Sequence, residues 1–218
     1  MARSERTGKR KVRSCSTRVP DLGYYLVVTD AEKTEENYLM GLRNSLPKEL
    51  QERIVIKVFS TKTENLVETC VELAAYHPQF CEPWIVLDRD RVPNFDELIR
   101  EAEQSKISVG WSNPCIEIWF FAYYGSMPAI TESTVCCQRF SEQFQRKTGR
   151  EYKKSDGKIY SALIQSGDEE NALSIAERRL QSWMDCEKSP SAMCPCTTIH
   201  RLVGEIRTKS QDIGRQGT

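Results

Sequence analysis

Carboxylates are the residues of this chain whose placement can do chemistry. Two short apolar runs each stop abruptly at acids: Tyr24 to Val28 is followed by Asp30, Glu32 and Glu35, and Trp84 to Leu87 by Asp88 and Asp90. Apolar, β-rich runs without polar alternation have the pattern of strands covered on both faces, as in a parallel sheet. Ligands of such sheets bind in the crevice outside the carboxyl ends of the strands, where these acids stand. If the two strands are neighbours, their carboxylates crowd one edge and repel one another unless a cation neutralises them. Hard oxygen donors of this kind suit Mg²⁺ or Mn²⁺. A further acid, Glu117, follows Ser112-Asn-Pro-Cys; it either complements the dipole of the helix it opens or points at the same ion. For Asp88 and Asp90 the plainer reading is helix capping, which needs one acid rather than two flanking an arginine.

The elements that must position these acids follow from the hydrophobic pattern. Strands are expected at Tyr24 to Val28, Arg53 to Phe59, Trp84 to Leu87 and Ile107 to Trp111. Helices are expected between them, at Glu36 to Leu46, Glu64 to Tyr76 and Phe95 to Gln104. That alternation predicts an α/β fold with a mainly parallel sheet flanked by helices over residues 21–124. Pro114 is expected in the first turn of the next helix with Asn113 as its N-cap. Residues 125–218 read as a helical C-terminal part: Ser133 to Thr148, Ile159 to Ser166, Glu170 to Met184 and Thr197 to Arg207. The charged run Glu151 to Lys158 joins two of those helices and is either a substrate loop or solvated surface.

The chain of 218 residues has 31 basic and 31 acidic residues, so net charge says nothing about a polyanionic partner. Its distribution does. Residues 1–20 form a basic arm without apolar periodicity, expected to be disordered. Such an arm beside an acidic metal edge suits a nucleic-acid enzyme, because phosphates need Lys and Arg whereas the metal needs carboxylates; a solubilising tail is the alternative. No apolar run approaches the roughly 20 residues needed to span a bilayer, and no secretory signal is seen, so a cytoplasmic protein without membrane insertion is expected. The nine cysteines show no Cys-x-x-Cys pair and read as reduced thiols. Cys186, Cys194, Cys196 and His200 match no zinc template, and His200 reads as a structural histidine.

Three blocks, in order and spacing, resemble the RloB family: Val28-Thr-Asp-Ala-Glu-Lys-Thr-Glu-Glu-Asn-Tyr38, Val86-Leu-Asp-Arg-Asp90 and Ser112-Asn-Pro-Cys-Ile-Glu-Ile-Trp119. Tyr152-Lys-Lys154 and Thr197-Thr-Ile-His200 add to the likeness. The resemblance implies a Toprim-like fold and a Mg²⁺-dependent nuclease of a bacterial anti-phage, abortive-infection locus, a toxin-like effector working with an AAA- or ABC-type ATPase encoded nearby. It implies RNA or DNA as substrate, and an oligomer is compatible with it. On this reading Asp30, Glu35, Asp88 and Asp90 are catalytic, and Asp30, Asp88, Asp90, Glu32 and Glu117 hold the metal. Lys33, Asn113, Lys153 and Lys154 would meet the substrate. One departure stands out: Toprim-type proteins carry Glu-Gly where this chain has Asp30-Ala31, a side chain shorter by roughly 1.5 Å. A catalytically weakened or non-catalytic subunit of an ATPase-containing complex therefore stands as the second class. It would use Trp183, Met184, Ile199 and Leu202 as a docking face, although core packing explains those residues equally well.

Overall fold

The first strand owes its place at the centre of the sheet to its composition. Tyr25, Leu26, Val27 and Val28 are fully buried, alternate residues entering separate cores on the two faces. Each such side chain stabilises the fold by roughly 1.5–3 kcal/mol. The computed structural model describes residues 23–30, 33–51, 54–76 and 81–216. The basic arm, Ala31 and Glu32 lie outside them.

The sheet has five strands in the order β2-β1-β3-β4-β5. They are β1 (Gly23–Thr29), β2 (Ile54–Ser60), β3 (Cys81–Asp88), β4 (Ser108–Asn113) and β5 (Cys196–Thr197). The first four are parallel, with Val27 level with Trp84 and Asp88 level with Ser112. The α/β class expected from the alternation of elements is therefore the one observed. The chain leaves β1 for one edge and then passes beyond it to β3, so the strand order reverses between β1 and β3. Such a switch point opens a crevice between neighbouring carboxyl ends. Here those ends carry Asp30 and Asp88.

One face is covered by α3 (Leu66–Tyr76) and α4 (Phe95–Gln104), packed on Leu26, Val28, Ile85 and Leu87. The other carries α1 (Thr34–Ser45), then α5 (Glu117–Ala122), α6 (Ser133–Thr148), α7 (Ile159–Ser166), α8 (Glu169–Met184) and α9 (Ile199–Gln216). A short helix, α2 (Lys48–Gln51), precedes β2. Helix α1 approaches α7 closely at Gly41, where an added Cβ would lie 2.4 Å from the Tyr160 Cβ. Helix α5 is buried all round, Glu117 included, as expected of a helix enclosed by others.

Two expectations fail locally. Asn113 does not cap α5: it ends β4, the Asn113–Pro114 peptide is cis, and α5 begins at Glu117 after Ile116. The Asn113 amide is committed instead to the carbonyls of Pro190 and Ser191, at 3.3 and 3.1 Å. The last helix starts and ends later than its apolar pattern suggests, because Cys196 and Thr197 leave it to pair antiparallel with Asn113 and Ser112. Hydroxyls close this junction. Thr198 Oγ1 accepts from the Trp111 N–H at 2.9 Å and donates to the Val109 carbonyl at 3.0 Å.

Candidate metal centre

Asp88 is placed by strand parity. It shares the face of Trp84 and Val86, under α1 and α5, and its residue is only 8% exposed. Asp30, one residue beyond β1, accepts a hydrogen bond at 2.9 Å from Thr63 Oγ1, in the 3₁₀ turn that leads into α3. Glu35 sits in the first turn of α1 and is 2% exposed; Glu117 opens α5 and is fully buried. The loop before α5 is tied to the turn after β3 by the Asp90 N–H, which donates to the Pro114 carbonyl at 3.3 Å.

Each of the three buried carboxyls keeps one oxygen without a hydrogen-bond partner: Glu35 Oε2, Asp88 Oδ1 and Glu117 Oε2. The other Glu117 oxygen accepts from the Tyr152 hydroxyl at 2.9 Å and lies 3.6 Å from the Lys154 ammonium. Tyr152 is held by Phe140, edge to face at 4.8 Å, and by Phe144.

Electrostatics bind these groups into one cluster. Burial pushes the Glu35 carboxyl up to about 7, aided by the charges of Glu117 and Asp30 and opposed by its own backbone N–H and by Lys154. Asp88 is pushed well above the carboxylate range by burial, then by Glu35, Glu117 and Asp90; the Ile116 N–H pulls the other way. Burial also works against the Lys154 ammonium, but Glu117 and the neighbouring thiols outweigh it and raise its pKa. Buried acids of this kind either hold protons or share a cation.

The donor set fits a hard divalent cation, because it is all oxygen, buried, and has unused lone pairs. The three carboxyls do not fall within 4.8 Å of one another as a group. An ion there would be held directly by fewer than all three carboxyls, with water completing its shell. Beside Asp30 opens a cleft of about 970 Å³ between the end of β2 and α4, lined among others by Thr61, Lys62, Thr63, Asn94 and Glu101.

Of the residues singled out in the sequence, the fold brings together Glu35, Asp88, Glu117 and Lys154. Asp30 and Asp90 act on that cluster electrostatically from its margin, Asp90 being exposed. Lys33 is exposed at the start of α1, and Lys153 is exposed with its ammonium 3.3 Å from Glu151. Asn113 holds the Pro190 turn. Glu32 falls outside the described residues.

The sequence reading missed two groups. Tyr152 orders Glu117, a role without a local signal because Tyr152 lies 35 residues away. Cys115 and Cys137 place their sulfurs, with a Glu117 oxygen, within 4.8 Å of one another, the single such group of potential metal ligands among the described residues. Cys115-Ile-Glu117 was visible as Cys-x-Glu, but nothing in the sequence links Cys137 to it. Cys186, Cys194, Cys196 and His200 form no such group; His200 Nε2 lies 2.7 Å from Glu177.

A family model described as RloB-like protein matches residues 25–206. The chain belongs to the RloB-like family. That span runs from within β1 into the first half of α9, and takes in every carboxylate of the cluster. No curated protein and no solved structure matches the chain. Among the described residues of this RloB-like chain, no helix is long and apolar enough to cross a membrane.

Proposed function

We propose that this RloB-like protein is a divalent-metal-dependent nuclease that hydrolyses phosphodiester bonds in RNA or DNA. The observation that carries the reading is the set of three buried carboxyls at the carboxyl edge of a parallel sheet, each with an unpartnered oxygen. Glu35, Asp88 and Glu117 would hold Mg²⁺ or Mn²⁺, with Asp90 at the rim. When bound, that ion polarises a phosphate and lowers the pKa of a coordinated water.

The chain's own residues divide the remaining work. Tyr152 and Lys154 fix the Glu117 carboxylate, so its free oxygen faces one direction. Asp30, half-buried, lining the cleft and steadied by Thr63, would accept a proton from the attacking water. The Lys154 ammonium, half-exposed, can meet a phosphate oxygen as a point charge. The cleft's Thr61, Thr63 and Asn94 offer neutral polar partners for a sugar-phosphate chain. In keeping with the resemblance of its motifs, we place the protein as an effector of an anti-phage abortive-infection system working with a neighbouring ATPase.

The alternative, a non-catalytic subunit docking through Trp183, Met184, Ile199 and Leu202, has less support. Ile199 and Leu202 are buried in the core and the Trp183 indole donates to the Pro195 carbonyl, so of these four only Met184 is largely exposed.

The test is cleavage of total RNA and plasmid DNA by purified protein, with and without the ATPase, in Mg²⁺ or EDTA. Cutting that requires Mg²⁺ and disappears in Asp88→Asn, while partner binding persists, supports the nuclease. Failure to cut under every condition, with the partner still bound, overturns it in favour of the non-catalytic subunit.

A further inference from the structure

The Cys115, Cys137 and Glu117 group lies beside the carboxylate cluster but has a different chemistry. Its sulfurs and a carboxylate oxygen are within 4.8 Å of one another, a spacing one small ion can bridge. A second observation points to a ligand there. Glu117 is fully buried, yet its Oε2 has no hydrogen-bond partner. The donors sit where α5 meets α6: Cys115 and Glu117 lie two residues apart at the start of α5, Cys137 lies in the first turns of α6, and the two helices pack through Phe120, Phe121 and Phe140.

We propose that Cys115, Cys137 and Glu117 form a second metal site, selective for a thiophilic divalent ion of the Zn²⁺ class. Two thiolates and one carboxylate match the mixed sulfur and oxygen sets that Zn²⁺ accepts, and three protein ligands leave the fourth position for water. Mg²⁺ does not compete for sulfur donors. Binding releases both thiol protons to solvent and no electron moves. Two thiolates, one carboxylate and a dication leave a single negative charge, and the Lys154 ammonium, 3.6 Å from Glu117, offsets it. Hydrogen bonds among the neighbouring thiols, burial and the Glu117 charge push both Cys115 and Cys137 up, so the ion must displace their protons, and the Lys154 charge opposes the rise at Cys137 only in part.

Glu117 belongs to both sites. An ion on the thiols would draw on the same Glu117 carboxylate as an ion held with Glu35 and Asp88, so a Zn²⁺-class ion would oppose Mg²⁺ in the neighbouring cluster. This regulatory consequence rests on the nuclease reading; metal binding by the thiols does not.

Co²⁺, whose thiolate complexes absorb by charge transfer, is the probe. The reduced, metal-free protein is titrated with Co²⁺ and then with Zn²⁺. The expected result is a thiolate charge-transfer band saturating at about one Co²⁺ per chain, bleached by Zn²⁺ and untouched by Mg²⁺. Cys137→Ser, at a half-buried position, should weaken Co²⁺ binding on the order of 100-fold, and Cys115→Ser likewise. Asp88→Asn should keep the band while losing nuclease activity. Zn²⁺ should inhibit cutting by the native protein at least about tenfold more strongly than cutting by Cys137→Ser. The absence of a thiolate band, or a band that survives Cys137→Ser because other cysteines supply it, overturns the site. If cutting is absent but the band behaves as stated, the nuclease reading fails and the site stands.

Discussion

Glu35 makes the stability of this fold depend on pH in an unusual direction. Its carboxyl, 2% exposed, is raised from 4.5 to about 7, chiefly by burial. A carboxyl with a raised folded-state pKa favours folding in its protonated form. Its contribution is therefore complete below pH 4.5 and is lost as pH rises through about 7. At about 1.4 kcal/mol per pH unit, the loss is about 3 kcal/mol. For a chain of this size each kcal/mol moves Tm by about 2–4 °C, so Tm in EDTA should fall by roughly 6–12 °C between pH 5 and pH 8. Asp88, raised by the same cause, adds in the same direction. Mg²⁺ should restore the loss at pH 8 and have little effect at pH 5, where protons already occupy the cluster. Glu35→Gln should remove much of the slope and, in EDTA at pH 8, melt higher than the native protein. Differential scanning fluorimetry across pH, with EDTA or Mg²⁺, measures all three. A flat Tm in EDTA, or Mg²⁺ stabilisation equal at both pH values, would refute the reasoning that the cluster is buried and strained by its own charge.

Three further outcomes follow from the packing. Gly41→Ala gains about 1 kcal/mol of helix propensity but puts a Cβ 2.4 Å from the Tyr160 Cβ, which cannot swing aside. Overpacking at a helix contact costs about 1–3 kcal/mol or more, so chemical denaturation should show a net loss of about 1–2 kcal/mol. Asn113→Ala breaks both amide bonds to the Pro190 turn and should lower stability by about 2 kcal/mol, read as a fall of about 4–8 °C in Tm, with Mg²⁺ affinity by titration calorimetry unchanged. Tyr152→Phe removes the 2.9 Å bond that orients Glu117 and should weaken Mg²⁺ binding about 10-fold at constant fold, visible in the same titration.

Much of the fold can be read without coordinates because its signals are local. Helices α4, α6 and α7 lie where their apolar spacing and flanking polar residues put them, and Tyr25 to Val28 form an interior strand because no polar residue interrupts them. Strand β5 cannot be read this way. Two residues carry no periodicity, and Cys196 and Thr197 become a strand only because Ser112 and Asn113 present an open edge.

The candidate site divides along the same line. By itself the sequence determined that acids stand at the carboxyl ends of two apolar strands, since Asp88 directly and Asp30 one residue later follow their runs; that the two strands are neighbours was decided by the sheet order. Strand parity and helix placement decided the rest. Glu35, Asp88 and Glu117 are buried under α1 and α5, while Asp30 turns to Thr63 and Asp90 to solvent. Tyr152, Lys154 and Cys137 reach Glu117 from distant parts of the chain. Their proximity is set by the shared aromatic core around Phe140, and contacts made through such a core have no period or spacing along the chain.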